Sequence, residues 1–416
     1  MLISKLQQIT SGQFIRNVGW LGGAELLNRL FRLGTTVTLA RLFSAQDYGL
    51  MAIIYTTFEF ANVLTLRGGI GAKIIQADEK DVPTFCNTSY WLNWMLCGAV
   101  FIVQCAAAFP IARFYDNNRL ILPLCTMALM YLTLPLFLIN TALIERENRL
   151  KITALCNAAH SFLVNLITIS LALLGLGIWA IVWSMVLSMP VWILITWRNH
   201  PWRPPTTVHL ERWQEIARFA KNLLGVDLLT RLRLNLDYLI VGKFLGIEEL
   251  GIYYFAFNAG SGITMNVVNS LMLALYPHLC LVRQHTERFK ARYLSSLKTI
   301  ALIVVPLVLL QSTLAPFYVP LIFGEKWTSA IPVLMLICLS VIPRTFKWAA
   351  SLLFNATDRT HLTLTFDLGF TLIFAAALFI AVQSGVLSVA MAVLTIYLLS
   401  SLSFNIFAWR QVFAKH

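Results

Sequence analysis

The sequence predicts an all-α polytopic membrane protein, with about twelve transmembrane helices in two six-helix lobes related by a parallel internal repeat. Three observations predict it. Of 416 residues, 58% are hydrophobic and 12% charged, with a mean hydropathy of +0.73. A soluble globular chain averages about 45–50% apolar and about 25% charged, so this chain lacks the polar surface to face water. Apolar runs of the roughly 20 residues that a spanning helix consumes follow one another along the chain with only short connections, which leaves no room for a soluble catalytic domain. Finally, stretches a near-constant distance apart resemble one another.

In chain order, Leu2 to Asn17 has no continuous apolar stretch followed by a small-residue cleavage pattern, so it reads as an amphipathic interfacial helix and not as a cleavable signal peptide. Spans are predicted at 18–42, 48–67, 85–109, 119–144, 152–175 and 178–197, then at 216–243, 250–275, 294–317, 329–355, 362–382 and 386–409. Pro135, Pro190, Pro306 and Pro343 interrupt spans and predict kinks. Between the two sets lies the polar stretch Arg198 to Trp213, whose Pro201, Pro204 and Pro205 suit a linker. The predicted organisation is an N-terminal lobe at 1–200, a cytoplasmic linker at 201–214 and a C-terminal lobe at 215–416.

The net charge of +13 raises nucleic acid as a partner, but basic residues would then cluster on one water-facing surface. Cytoplasmic connections carry the Lys/Arg excess in membrane proteins. With both termini inside, 21 of the 32 Lys and Arg fall on the inner side, and five (Arg41, Arg113, Arg119, Lys243, Lys326) on the outer side. The remaining six, Arg29, Arg32, Arg231, Arg233, Arg344 and Lys347, lie within spans. The charge is therefore topological, both termini are predicted cytoplasmic, and no nucleic acid is expected. The seven Cys fall mostly inside apolar spans with no CxxC, so neither a disulfide nor a metal site is expected. His160 reads as a packed polar residue.

The repeat is the most informative pattern. Gly23-Ala-Glu25-Leu-Leu-Asn-Arg29-Leu matches Gly225-Val-Asp227-Leu-Leu-Thr-Arg231-Leu at an offset of 202. At the same offset Arg41-Leu-Phe-Ser-Ala-Gln-Asp47-Tyr-Gly49 matches Lys243-Phe-Leu-Gly-Ile-Glu-Glu249-Leu-Gly251. Pro135 and Pro343 match at 208, as do Gly177 and Gly385. Six spans per half is an even number, so both halves enter the membrane in the same direction, about an axis along the membrane normal.

Glu25, Arg29 and Arg32 recur at i, i+4, i+7 and share one helical face with Asn28 beside them. Asp227, Arg231 and Asn235 do the same on the seventh span, and Arg233 with Asp237 forms another i, i+4 pair. Charges in hydrocarbon cost several kcal/mol unless paired or wetted, so these faces should line a bundle interior. Twelve residues, about 18 Å at 1.5 Å each, separate Arg29 from the outer Arg41, placing Arg29 and Arg231 just cytoplasmic of the middle. Facing guanidinium groups suit a phosphate anion. The competing reading is that each acid neutralises its own i+4 Arg. Arg32, Arg344 and Lys347 have no acid at i±4, and snorkelling is their bland alternative. The candidate substrate-binding residues are thus Arg29, Arg32, Arg231, Arg344, Lys347 and Asn28. Glu25, Glu59, Asp227 and Asp367 are candidates for titration with a coupling ion, against a structural role for each.

The residues resemble a known family, the polysaccharide flippases of the multidrug, oligosaccharidyl-lipid and polysaccharide exporter superfamily. The matching stretches are Leu39-Ala-Arg-Leu with Asp47-Tyr-Gly49, Ala112-Arg-Phe-Tyr115, Asp237-Tyr-Leu-Ile-Val-Gly-Lys-Phe-Leu-Gly246 and Phe323-Gly-Glu-Lys-Trp-Thr-Ser-Ala-Ile-Pro332. The resemblance implies a non-enzymatic bacterial inner-membrane protein with no cofactor. It would move undecaprenyl-pyrophosphate-linked oligosaccharide between leaflets for exopolysaccharide, capsule or lipopolysaccharide biosynthesis, often with H+ or Na+ coupling. The implied partners are the lipid-linked glycan, membrane lipids, and polysaccharide polymerase and export machinery. Two alternatives stay open. One is a cation-coupled drug antiporter of the same superfamily; the other is a polytopic polysaccharide polymerase or ligase, disfavoured by outer connections of only about a dozen residues.

Overall fold

The computed structural model describes residues 31–208 and 210–413. Glu25, Asn28, Arg29 and the expected interfacial helix at Leu2 to Asn17 lie outside the described residues. Among those described, the chain consists of helices and short connections with no strand, as hydrocarbon demands when every backbone N–H and C=O must be satisfied within its own segment.

In chain order the principal helices are α1 (31–42), α2 (Ala45–Leu64), α3 (Arg67–Gln76), α4 (Val82–Phe114), α5 (Ile121–Thr133), α6 (Pro135–Arg146), α7 (Leu150–Leu173), α8 (Ile178–Ser188) and α9 (Pro190–Asn199). They continue with α10 (Trp213–Phe244), α11 (Ile247–Cys280), α12 (Thr286–Thr313), α13 (Ile331–Ala356), α14 (Thr360–Ala381) and α15 (Val386–Phe413). Among the described residues, eight helical stretches are long and apolar enough to cross a membrane, or ten when two bent pairs each count as one span. The chain is a multi-pass membrane protein. The 32-residue α10 is long enough to span, and its apolar run is interrupted by Asp227, Arg231, Arg233 and Asp237.

The prolines behave unequally. Pro135 opens α6 with a 48° bend from the preceding helix, and Pro190 starts α9 after a one-residue break. Pro306 and Pro343 sit inside uninterrupted α12 and α13. The kink expected at both Pro135 and Pro343 therefore breaks the helix only at Pro135.

The described residues form two compact units, one within 31–43 and 53–234, the other within 44–52 and 235–413. In the first unit, α3, α4 and α6 share a core of Ile70, Ile74, Phe85, Cys86, Tyr90, Leu138, Ile139 and Leu143, with Ile216 of α10. The stretch read as a linker lies along this unit: Asn140 Nδ2 donates to Trp202 O (3.1 Å), Trp91 Nε1 to Thr207 O (2.9 Å) and Thr88 Oγ1 to Glu211 O (2.8 Å). Arg212 adds an ion pair to Asp81 at 3.0 Å. Arg146 Nη1 donates to the carbonyls of Ile74, Ile75 and Ala77 at 3.0, 2.9 and 2.6 Å, satisfying acceptors that the last turn of α3 leaves orphaned.

In the second unit α13 is the central helix, packing on α11, α12 and α15. The start of α2 crosses α11 with no space between the backbones. A Cβ on Gly49 would stand 1.9 Å from the Ile247 carbonyl oxygen, and one on Gly251 would stand 1.7 Å from that of Ala45. Beside this crossing Trp327 stacks on Phe255, with centroids 3.9 Å apart, and Tyr48 meets both rings edge-on.

Candidate functional site

A cavity of about 490 Å³ opens in the first unit. The break between α2 and α3 creates its first wall. Leu66 adopts a left-handed φ of 53°, ending the helical run, and α3 restarts on Arg67-Gly68-Gly69-Ile70-Gly71. A Cβ at Gly68 or Gly71 would meet nothing within 4 Å, so these glycines leave the wall open. Asn62 and Leu66 complete it, Leu138, Thr141 and Glu145 of α6 form the second wall, and Leu224, Asp227 and Arg231 of α10 form the third.

Arg67 is the most constrained charge in the cavity. Its guanidinium carbon lies 5.5 Å from the centroids of both the Phe137 and the Trp192 rings. Those rings are buried, 1% and 6% exposed, and stacked 5.4 Å apart. Contact with aromatic faces holds a guanidinium and leaves its in-plane N–H groups free to donate. Glu145 is the carboxylate that attracts it. On the third wall Arg231 Nη1 lies 3.2 Å from Glu59 Oε2, the two side chains being 42% and 39% exposed. Arg231 thus draws its carboxylate from α2, while Asp227, one turn earlier, also lines the cavity. Two bases and two acids make the charge of the lining balanced.

The second unit gathers the other predicted charges. Asp237 is 3% exposed and accepts hydrogen bonds from Tyr253 OH (2.8 Å) and Tyr238 N (3.0 Å). The Arg344 guanidinium, attracted to Asp237, lies 4.1 Å from the Tyr397 centroid and 5.5 Å from that of Phe257. Its Nε has no hydrogen-bond partner among the described residues. Lys347 Nζ lies 2.9 Å from Asp367 Oδ1 and 3.7 Å from the Phe370 centroid. The acid that Lys347 lacks within its own helix comes from the next one.

Of the residues predicted for substrate or coupling ion, Arg231, Glu59 and Asp227 therefore meet in the first unit, and Arg344, Lys347 and Asp367 lie in the second. Arg32 is exposed on α1. Glu25, Asn28 and Arg29 lie outside the described residues. Sequence reasoning missed Arg67 and Glu145, placing Arg67 at the cytoplasmic end of one span and Glu145 just beyond another. The available signal was an Arg followed by three glycines within four residues at the end of an apolar run.

A protein family described as polysaccharide biosynthesis protein matches residues 38–332. The chain is 26% identical over 331 residues to teichuronic acid biosynthesis protein TuaB of Bacillus subtilis, covering 78% of this chain and 68% of that protein. It is 26% identical over 371 residues to lipopolysaccharide biosynthesis protein WzxC of Escherichia coli, covering 88% and 74%. Over 328 residues it is 24% identical to succinoglycan biosynthesis transport protein ExoT of Rhizobium meliloti, covering 78% and 65%. Among solved structures, an inward-facing multidrug resistance MATE family transporter of the MOP superfamily superposes with a TM-score of 0.73 at 13% identity, covering 93% of this chain and 95% of that one. Lipid II flippase MurJ in an inward closed conformation gives 0.72 at 12% identity, covering 95% and 91%. The fold is that of transporters and not of an enzyme.

Proposed function

We propose that this chain, which belongs to the polysaccharide biosynthesis protein family, is a flippase for undecaprenyl-pyrophosphate-linked oligosaccharide. Its proposed place is the bacterial inner membrane with both termini cytoplasmic, the side that carries most of the Lys and Arg. The observation that carries the reading is the first-unit cavity, where Arg67 and Arg231 present guanidinium groups on separate walls. A diphosphate offers such planar forks paired oxygen acceptors. The glycan occupies hydrated space and the lipid tail stays in the bilayer. Alternating exposure of the site to the two faces, as in transporters built from repeated bundles, completes the cycle. Glu59, Asp227 and Asp367 are the proposed coupling-ion residues.

The test is a deletion strain. It should accumulate the lipid-linked oligosaccharide in the inner leaflet, wild-type chain should clear it, and Arg67→Ala with Arg231→Ala should insert yet leave it uncleared. Full clearance by the double variant overturns the cavity as the anion site.

One observation favours the competing drug antiporter: Glu145 and Asp227 share the same walls and suit a cation. Drug-sensitivity profiles of the deletion strain separate the two, since the flippase reading expects no change.

A further inference from the structure

The end of the second unit where α12 begins and α15 closes gathers bases that serve no acid. Among the described residues, the side chains of Arg288, Lys290, Arg292, Lys298 and Arg410 make no ion pair and no hydrogen bond. Residues 281–298 carry five bases against a single acid, Glu287, and of the five only Arg283 has a partner, Asp358 at 3.4 Å. In the first unit, by contrast, Lys73, Arg146, Arg149, Arg203 and Arg212 each hold a carboxylate or a backbone carbonyl. The excess of bases that sets orientation is only a count. It does not require them to stand unpaired around one feature.

Length puts this end at the membrane surface. Helices α12 and α15 have 28 residues each, about 42 Å at 1.5 Å per residue, against a hydrocarbon core of about 30 Å. The polar turns are the first of α12 and the last of α15, so both helices overhang here. The overhangs meet through rings. The Phe413 centroid lies 5.8 Å from that of Phe289, 6.3 Å from Tyr293 and 4.8 Å from Trp409. Phe289 and Tyr293 are buried one turn apart on α12. Each residue turns the helix by about 100°, so Arg288 and Arg292 flank that ring face on one side and Lys290 on the other. Lys290 Nζ lies 5.4 Å from the Trp409 centroid, a contact that holds the ammonium and leaves its N–H groups to an acceptor. Arg359 Nη1 donates to Gln411 O and pins the last turn of α15. Leu402 and Ile406 are exposed and share a helical face with Arg410, an apolar track that ends in a cation.

We propose that this end of the second unit binds an anionic phospholipid, with Arg288, Lys290, Arg292 and Arg410 around the headgroup phosphate and the acyl chains along Ile406 and Leu402. Clustered Lys and Arg at a helix end recognise anionic lipid at the bilayer surface. A lipid is the anion whose chains also cover the exposed apolar track. Both helices pack on α13, so the lipid ties together the ends of two helices that flank the centre of the unit. The site is separate from the cavity and independent of what the chain transports.

The test titrates purified full-length chain in detergent with phosphatidylglycerol or phosphatidylcholine and counts bound lipid by native mass spectrometry. Phosphatidylglycerol should bind more tightly. Replacing Arg288, Lys290 and Arg292 together by Gln should weaken it about 5-fold for each base removed, whereas Arg288→Lys with Arg292→Lys should keep most of the binding. Lys80→Gln, Arg198→Gln and Arg218→Gln together remove the same charge from exposed positions of the first unit and should bind as wild type does. Glycerol phosphate, a headgroup without chains, should not displace the lipid. Equal binding of the two lipids, wild-type binding by the triple variant at 288, 290 and 292, or an equal loss in the first-unit variant overturns the site. Displacement by glycerol phosphate makes it a free-anion site and overturns the lipid, as does a polypeptide found in the lipid's place on chain extracted from membranes.

Discussion

Alanine at Gly49 or Gly251 should force apart the crossing of α2 and α11. The added Cβ would stand 1.9 Å from Ile247 O in one case and 1.7 Å from Ala45 O in the other. Carbon and carbonyl oxygen approach comfortably to about 3.3 Å, so the helices must separate by about 1.5 Å. The obstacle is backbone, and no rotamer change relieves it. Overpacking typically costs about 1–3 kcal/mol. Here the displaced helix ends also carry Tyr48 and Phe255, which pack on each other and on Trp327, and such aromatic pairs contribute about 0.5–1.5 kcal/mol each. Each variant should lose about 3 kcal/mol or more. The pair should lose less than the sum, because the first substitution has already opened the crossing. The assay is thermal unfolding of purified protein in detergent, with Gly369→Ala as control. A Cβ there meets nothing within 4 Å, and within α14 alanine should be neutral or stabilise by up to about 1 kcal/mol. If Gly49→Ala melts with Gly369→Ala, the close crossing is refuted.

Three further outcomes follow from the same kind of reasoning. Lys347→Ala or Asp367→Ala leaves a buried charge without its 2.9 Å partner and should cost about 3–5 kcal/mol, while Lys347→Met with Asp367→Leu should recover most of it; export retained in that double variant would make the pair structural. Arg146→Ala uncovers three carbonyls at the end of α3 and should cost about 1.5–3 kcal/mol, hydrogen bonds to a charged donor being the strong class, read as faster amide exchange across 67–82. The Glu147 carboxyl is held below the usual carboxylate range, first by its hydrogen bond from Arg149 and then by His200. Its contribution to stability is therefore complete above the ordinary glutamate range and is lost as pH falls through the depressed value. Unfolding midpoints measured from pH 6 down to pH 3 should fall less steeply in Glu147→Gln than in wild type.

The helices were legible because hydrocarbon leaves a chain few choices, and a run of apolar residues states its own environment. The charged pairs were not, because a window along the sequence sees only neighbours on the same helix. Lys347 lacked an acid at i±4, yet Asp367, twenty positions on, reaches it from α14. Arg231 had Asp227 one turn away but pairs with Glu59 on α2. The cavity was hidden for a related reason. Its defining residue, Arg67, sits where glycines dilute the apolar signal, so it read as part of a connection. The groups that hold it, Phe137, Glu145 and Trp192, are 70 to 125 positions distant. No local rule links an Arg at a helix break with two rings on α6 and α9.

The proposed internal repeat gains its best support from the glycine crossing. The offset of 202 read from the sequence carries Ala45 to Ile247 and Gly49 to Gly251. In the structure Gly49 abuts Ile247 while Gly251 abuts Ala45, the reciprocal contact that a two-fold relation between the segments would require. Gly49 and Gly251 lack a Cβ for one shared steric reason, so a single geometry accounts for both. The prolines at offset 208 do not behave alike: Pro135 breaks its helix, and Pro343 lies within continuous α13. An ancestral duplication accounts for both facts if the crossing, which needs both copies to stay small, resists divergence, whereas each proline acts only on its own helix. The bent helix is also the one that shapes the cavity, since α6 starts at Pro135 and carries Leu138, Thr141 and Glu145 to its wall. Pro135→Ala should therefore straighten the helix, shift Leu138, Thr141 and Glu145 on the cavity wall and slow clearance of the lipid-linked oligosaccharide in the deletion strain, while Pro343→Ala should leave clearance unchanged.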